Sequence, residues 1–248
     1  MHNIVIPMAG AGSRFSKAGY LKPKPFIDVN GKPMIVRVLE NLSLPNARYI
    51  LIARNDHIQR ERELVAQIES EFNAVFIGID DQTEGTACTV LHARHLINNN
   101  EPLLIANSDQ IVDFEPNLFF QDAIDRNLDG SILVFKDFDR NPKWSFAKVD
   151  EEGLVIEVKE KNPISDNATV GIYLYRSGAD FVDSTIDMML FQDRVNGEYY
   201  TCPTYNYMIK KRKKIGVYNI PYKSMHGIGT PEDLNSYLNI SSEKKNLK

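Results

Sequence analysis

Asn3-Ile4-Val5-Ile6-Pro7, followed at once by Met8-Ala9-Gly10-Ala11-Gly12-Ser13-Arg14-Phe15, is the stretch from which the fold is read. An apolar run this short, ended by small residues, reads as a buried strand. The glycines behind it let backbone N–H groups approach a phosphate or a base edge with no Cβ in the way. The loop is not a dinucleotide fingerprint, because Phe15 stands where G-x-G-x-x-G needs its third glycine. It is not a Walker A loop either, since no Gly-Lys-Ser/Thr closes it. Arg14 adds a guanidinium fork beside the glycines and Lys24 a point charge ten residues on, a pairing suited to a polyphosphate.

Working outward, strand and helix patterns alternate. Strands are expected at 49–53, 74–79, 103–106 and 131–135, and helices at 34–42, 56–72, 86–97 and 117–126. That alternation is the pattern of an α/β sheet covered on both faces. Beyond it, 146–150 and 154–159 flank Glu151-Glu152-Gly153 as a hairpin, and 169–175 and 215–219 read as further strands. Helices are expected at 178–191, 203–211 and 231–238, the last with Thr230 as N-cap and Pro231 at its first position. The expectation is one domain over 1–240, with a mixed central sheet and a small inserted β region, and a frayed polar tail over 241–248.

Composition bounds the function. There are 29 basic and 33 acidic residues, a formal charge of −4, which argues against a nucleic-acid or membrane-surface partner. No apolar run approaches a membrane span, and no basic segment opens the chain as a secretory leader would, so a cytoplasmic location is expected. Cys88 and Cys202 stand alone and make neither a disulfide framework nor a zinc site. The oligomeric state is left open.

The loop at 8–15, Pro23-Lys24-Pro25, Gly31-Lys32-Pro33-Met34-Ile35, Gln82, Glu84-Gly85-Thr86-Ala87, Asn107-Ser108-Asp109-Gln110, Val158-Lys159-Glu160-Lys161 and Gly229-Thr230-Pro231-Glu232-Asp233-Leu234 follow one another in order. Together they resemble the nucleotidyltransferases that act on sugar 1-phosphates and phosphocholine. The resemblance implies a Rossmann-like nucleotidyltransferase fold and transfer of a nucleoside monophosphate to a phosphorylated acceptor, with release of pyrophosphate. It implies that Met8, Ala9, Gly10, Ala11, Gly12, Ser13, Gln82, Gly85 and Thr86 bind the nucleotide, with Arg14 and Lys24 on the triphosphate as catalytic cations. Asp109 would hold Mg²⁺, and Glu160, Lys161, Gly171 and Glu198 would face the acceptor. Within the family the loop and the Asn-Ser-Asp-Gln element resemble a bacterial subgroup tied to capsule or surface-polysaccharide synthesis. On that likeness the expected pair is CTP and L-glutamine phosphate. The alternatives are a sugar-1-phosphate nucleotidyltransferase, a glycosyltransferase of similar fold, and a silent nucleotide-binding regulator.

The residues agree with such a reaction. A phosphate monoester is largely dianionic near neutral pH, so it needs no general base. What remains is anion repulsion and in-line positioning, the task of cations and a metal. One position departs from the family pattern: Gly227, behind His226, stands where a second metal-binding Asp is usual. Imidazole is a poor Mg²⁺ ligand, so the metal would rest on Asp109, triphosphate oxygens and water, or another carboxylate such as Glu198 would reach in.

Weaker signals have plain readings. The run Lys210–Lys214 suits the end of a helix. Asp137-Phe138-Asp139 resembles the metal motif of glycosyltransferases but also an ordinary acidic turn. Trp144 and the cluster Tyr199, Tyr200, Tyr205 and Asn206 could wall a pocket or pack a core.

Overall fold

The structure is a computed structural model that describes residues 1–246. β1 (His2–Pro7) is followed by the short α1 (Ser13–Lys17), a two-strand hairpin of β2 (Asp28–Val29) and β3 (Lys32–Pro33), and α2 (Met34–Asn41). Then come β4 (Ala47–Arg54), α3 (Asn55–Arg60), α4 (Arg62–Glu71), β5 (Ala74–Ile79), α5 (Thr86–Leu91), α6 (Arg94–Ile97), β6 (Leu103–Ala106) and β7 (Gln110–Val112). The chain continues through α7 (Pro116–Asp125), β8 (Gly130–Lys136), β9 (Ser145–Val149), β10 (Val155–Glu160) and β11 (Asn167–Tyr175). It closes with α8 (Gly178–Leu190), α9 (Thr204–Lys210), β12 (Ile215–Asn219), β13 (Met225–Gly227) and α10 (Pro231–Asn246).

Nine strands form one mixed sheet. β5, β4, β1 and β6 lie parallel; β11 runs antiparallel beside β6, β8 and β9, and β12 pairs parallel with β8. The central strands β1, β6, β8 and β11 are buried on both faces and read as near-continuous apolar runs, while β10 at the edge, Val155–Glu160, alternates buried with exposed residues. Ile4 and Ile6 face the core under α2 and α7, while Val5 faces the one under α5, α8 and α9. The mixed α/β fold is the one expected. The inserted β region proves to be the edge of the same sheet, because Ala168 of β11 pairs with Phe146 of β9.

Some boundaries differ from the sequence-based expectation, each for a local reason. The helix expected over 56–72 breaks at Glu61 (φ −111°), whose carboxylate meets Lys22 at 3.8 Å. α3 buries no residue, so nothing holds it in line with α4, which buries Val65 and Ile68. The helix expected over 86–97 tightens at Ala93, where His92 N bonds Thr89 O and Ala93 N bonds Val90 O. That turn keeps both Val90 and Ile97 fully buried. α10 extends to Asn246 where a frayed tail was expected from 241; residues 247 and 248 of that tail lie outside the described residues. Among the described residues no helix is long and apolar enough to cross a membrane.

Candidate functional site

Strands β1 and β6 end side by side, and the chain leaves each in a loop. These two loops, Met8–Gly12 and Asn107–Asp109, form the floor of a cleft at the carboxyl ends of the parallel strands, where ligands collect in open α/β sheets. The Lys24 ammonium donates to Asp109 Oδ2 and ties the turn at Lys24–Phe26 to the second of these loops. Two cavities meet there. The smaller, about 260 Å³, is lined by Met8, Ala9, Gly10, Gly12, Lys24, Gln82, Thr83, Gly85 and Glu198, among others. The larger, about 770 Å³, is lined by Arg14, Lys143, Trp144, Ser145, Glu160, Lys161, Gly171 and Tyr200, among others. Pro7, Thr86, Asn107 and Asp109 belong to both linings, so the cavities open into one another around the Asp109 carboxylate.

Gly85 explains how distant segments reach the smaller cavity. Its φ is +127°, and a Cβ there would lie 2.4 Å from the Tyr199 carbonyl oxygen. Only glycine admits that approach. Across it Tyr199 N bonds Glu84 O (2.7 Å), Ala87 N bonds Tyr199 O (3.0 Å), and Thr201 N bonds Thr86 Oγ1 (3.2 Å). Gly171 does the same for the larger cavity. It sits at φ +90° in an irregularity of β11, and a Cβ would lie 2.2 Å from Asn107 Nδ2. Asn107 N bonds Gly171 O at 3.2 Å.

Of the residues expected to face an acceptor, Glu160 and Lys161 come from the end of the β9–β10 hairpin. Ser145 and Glu160 are register partners, and the Ser145 hydroxyl donates to Glu160 Oε2. Burial raises the Glu160 pKa; the Ser145 hydrogen bond and the Lys161 charge oppose the shift, and Glu198 adds to it. Lys161 leaves the strand with φ +55°, and its ammonium donates to the Tyr200 hydroxyl at 2.6 Å. That bond first, and the charges of Glu160 and Glu198 after it, raise the Lys161 pKa. Asn206 of α9 bonds both backbone groups of Val158, each at 2.9 Å, and so pins the strand that carries Glu160.

Most of the expected residues converge. Ala11 and Ser13 line neither cavity, and Arg14 stands at the larger one rather than with the other nucleotide-side residues. Glu198 lines the smaller cavity while it interacts with Tyr200. Gln110 carries a signal the sequence did not: it is 8% exposed, lines the larger cavity, and its Nε2 has no hydrogen-bond partner. Its partner strand could not be foreseen, since β7 is three residues long and pairs only with β13.

The oxygen donors at the junction suit Mg²⁺, which takes one or two carboxylates and substrate phosphates. The loop after β13 presses on Asp109: a Cβ on Gly229 would lie 2.5 Å from Asp109 Oδ2. The space beside Gly227 is bordered by Asp233, whose Oδ2 would be 3.9 Å from a Cβ there. His226 is engaged elsewhere, with Nε2 3.1 Å from Asp113 Oδ2. Among the described residues no group of three or more His, Cys, Asp or Glu could hold a metal alone.

The weaker signals resolve as structure. Asp137 accepts from Asn141 N at 2.8 Å within its turn, Arg140 bonds Asp166 at 2.7 Å, and the segment lines neither cavity. Lys211 pairs with Asp187 at 2.7 Å and Lys213 with Asp180 at 3.1 Å. Trp144 both lines the larger cavity and packs edge-on against Phe135, with rings 5.3 Å apart.

Residues 4–187 match the family model described as nucleotidyl transferase. The chain belongs to the nucleotidyl transferase family. This nucleotidyl transferase is 28% identical over 177 residues to the mannose-1-phosphate guanylyltransferase catalytic subunit beta of Drosophila melanogaster, covering 69% of the chain and 47% of that protein. It is 24% identical over 243 residues to the bifunctional protein GlmU of Methanocaldococcus jannaschii, covering 94% of the chain and 53% of that protein. It thus spans about half the length of the curated relatives it matches. Among solved structures, a nucleoside-diphosphate-sugar pyrophosphorylase from Vibrio cholerae RC9 aligns with a TM-score of 0.82 and 28% identity, covering 95% and 99% of the two chains. A UDP-glucose pyrophosphorylase complexed with UDP-glucose shares the fold, with a TM-score of 0.74 and 18% identity over 98% and 99% of the two chains.

Proposed function

We propose that this nucleotidyl transferase moves a nucleoside monophosphate from a nucleoside triphosphate to a sugar 1-phosphate and releases pyrophosphate. The observation that carries the reading is the pair of joined cavities, with the Lys24–Asp109 contact where they meet and Lys161 in the larger one. The nucleotide belongs in the smaller cavity, where the loop at 8–12, Gln82 and Gly85 offer backbone and amide groups to ribose and base. The acceptor belongs in the larger one, with its phosphate against Lys161 and Arg14.

An acceptor phosphate oxygen attacks the α-phosphorus as the bond to the β-phosphate bridging oxygen breaks, and pyrophosphate leaves. No net proton transfer is needed, because the attacking phosphate is already a dianion. Lys24, Arg14 and Lys161 offset the repulsion between the anions and hold them in line. Mg²⁺, when bound at Asp109 and the triphosphate oxygens, would add charge neutralisation at the transferring phosphate. Gln110 Nε2, buried without a partner, offers a donor to an acceptor oxygen.

One relative is named for mannose 1-phosphate and a similar structure for nucleoside-diphosphate sugars, which puts a sugar acceptor ahead of the L-glutamine phosphate expected from sequence; neither name supports CTP. The test is pyrophosphate release with Mg²⁺ across CTP, UTP, dTTP, GTP and ATP, against sugar 1-phosphates, L-glutamine phosphate and phosphocholine. Turnover with one nucleotide and a sugar 1-phosphate supports the reading. Turnover only with L-glutamine phosphate or phosphocholine overturns the acceptor, and triphosphate binding without turnover overturns the reaction.

A further inference from the structure

Under the larger cavity lies a column of polar groups that the proposed reaction does not use. Ser145 is 7% exposed, and its hydroxyl proton goes to Glu160 Oε2. The Tyr173 hydroxyl and the Cys202 thiol both interact with that same Ser145. Burial raises the pKa of each well above its ordinary value, so both stay protonated. Tyr173 in turn meets Thr169 Oγ1 at 3.1 Å. Ser145, Glu160, Thr169, Tyr173 and Cys202 all line the cavity. A hydroxyl has one proton to give and two lone pairs to fill. The one Ser145 proton goes to the Glu160 carboxylate, which can only accept, and the lone pairs are left to face Tyr173 and Cys202.

We propose that Ser145 is a positioning residue for the acceptor: its hydroxyl clamps one oxygen of the Glu160 carboxylate and leaves the other to receive a hydroxyl of the sugar. This rests on the reading of the larger cavity as an acceptor site. The clamp has an electrostatic side. The groups facing Glu160 are Ser145 on β9, Lys161 on its own strand end, Glu198 from the segment before α9, Tyr173 on β11 and Cys202. Only Ser145 and Lys161 favour the charged form, against burial and Glu198. Without the hydroxyl the carboxylate takes up a proton at higher pH and loses an oxygen that can accept from the sugar.

The experiment follows Glu160 directly and then its effect on the acceptor. In protein labelled with carboxyl-¹³C glutamate, the Glu160 resonance is assigned by its loss in Glu160→Gln and titrated in the native protein, Ser145→Ala and Ser145→Thr. Ser145→Ala is expected to move the midpoint up and Ser145→Thr to restore it. With a sugar 1-phosphate that supports turnover, Ser145→Ala is expected to raise acceptor KM about tenfold, the loss of one hydrogen bond to a charge. That rise should steepen as pH falls, while nucleotide affinity stays unchanged. An unmoved midpoint in Ser145→Ala overturns the proposal and leaves the acceptor reading standing. Equal losses in nucleotide and acceptor affinity overturn it in favour of a structural role. A moved midpoint with no effect of Glu160→Gln on acceptor KM overturns the assignment of Glu160 to the acceptor, and the proposal with it.

Discussion

The two cavities are built in opposite ways. The smaller draws on two short loops that leave adjacent parallel strands, Met8–Gly12 and Asn107–Asp109, and on Gly85 at the start of a helix. The larger draws on residues scattered over β9, β10, β11, the segment before α9 and the loops around β13. A wall made of consecutive residues changes only with its loop, whereas a wall made of scattered side chains can be re-specified one residue at a time. On the proposed function, that difference puts substrate choice in the groups that surround Glu160 and Lys161.

The largest expected effect comes from breaking the point that both cavities share. Lys24→Met or Asp109→Asn should lower nucleotidyl transfer by about 10²–10³-fold, the range for losing one preorganised charge partner at a transition state. Steady-state pyrophosphate release checks this, with Asp137→Ala as the control expected to keep full activity, because Asp137 lines neither cavity. A glycosyltransferase acting at Asp137 and Asp139 would give the reverse order.

Next is the joint where Tyr199, beside the cavity-lining Glu198, crosses Gly85. Gly85→Ala forces a Cβ to within 2.4 Å of a backbone carbonyl at φ +127°. It should destabilise the fold by about 2–4 kcal/mol, from strain and displaced packing together. Thermal unfolding measures it, and a fall in melting temperature under about 2 °C would mean that the crossing relaxes freely.

Separating the two sides takes a milder change. Lys161→Met should raise acceptor KM by about 10–100-fold with nucleotide affinity unchanged, as expected for a charge that meets only the acceptor. Tyr200→Phe, which removes the 2.6 Å partner of that lysine, should raise it by only a few-fold, about 0.5–1.5 kcal/mol. If either variant weakens nucleotide binding equally, the division of labour between the cavities fails.

The same contrast explains how much could be read from the sequence. The lining of the smaller cavity was legible in part because Met8, Ala9, Gly10, Gly12 and Lys24 lie close together in the chain; Ala11 and Ser13 line neither cavity, and Arg14 stands at the larger one. Strands 74–79, 103–106 and 215–219 were also legible to the residue, since an apolar run between turns has no competing reading. Of the larger cavity's lining, Glu160, Lys161 and Gly171 were singled out, and only by likeness. Ser145 carries no local signal, and Gln110 stood out only as the last residue of Asn107-Ser108-Asp109-Gln110; their surroundings arise when β9 meets β10 and β7 meets β13. The bond between Asn206 and Val158 spans 48 residues, which no pattern along the chain encodes.

The smallest effect tests whether the acceptor side stores a cost that the nucleotide side does not. Glu160 is half-buried, and its pKa is raised, chiefly by desolvation. A carboxylate whose folded pKa lies above its unfolded value binds more protons in the native state, so stability falls as pH rises through the window between the two values and stays lower above it. At neutral pH the ionised Glu160 therefore weakens the fold. Glu160→Gln keeps a partner for Ser145 and removes the charge, so its melting temperature at pH 7 should rise, by at most about 4 °C for a chain of this size. The gain should vanish as pH is lowered toward the ordinary carboxylate range, while acceptor KM is worse wherever Glu160 would be ionised. A protein that gains stability and loses acceptor affinity from one atom's change would show that the charge at Glu160 is retained for binding. Equal melting temperatures at both pH values would mean that the carboxylate is better solvated than its burial implies.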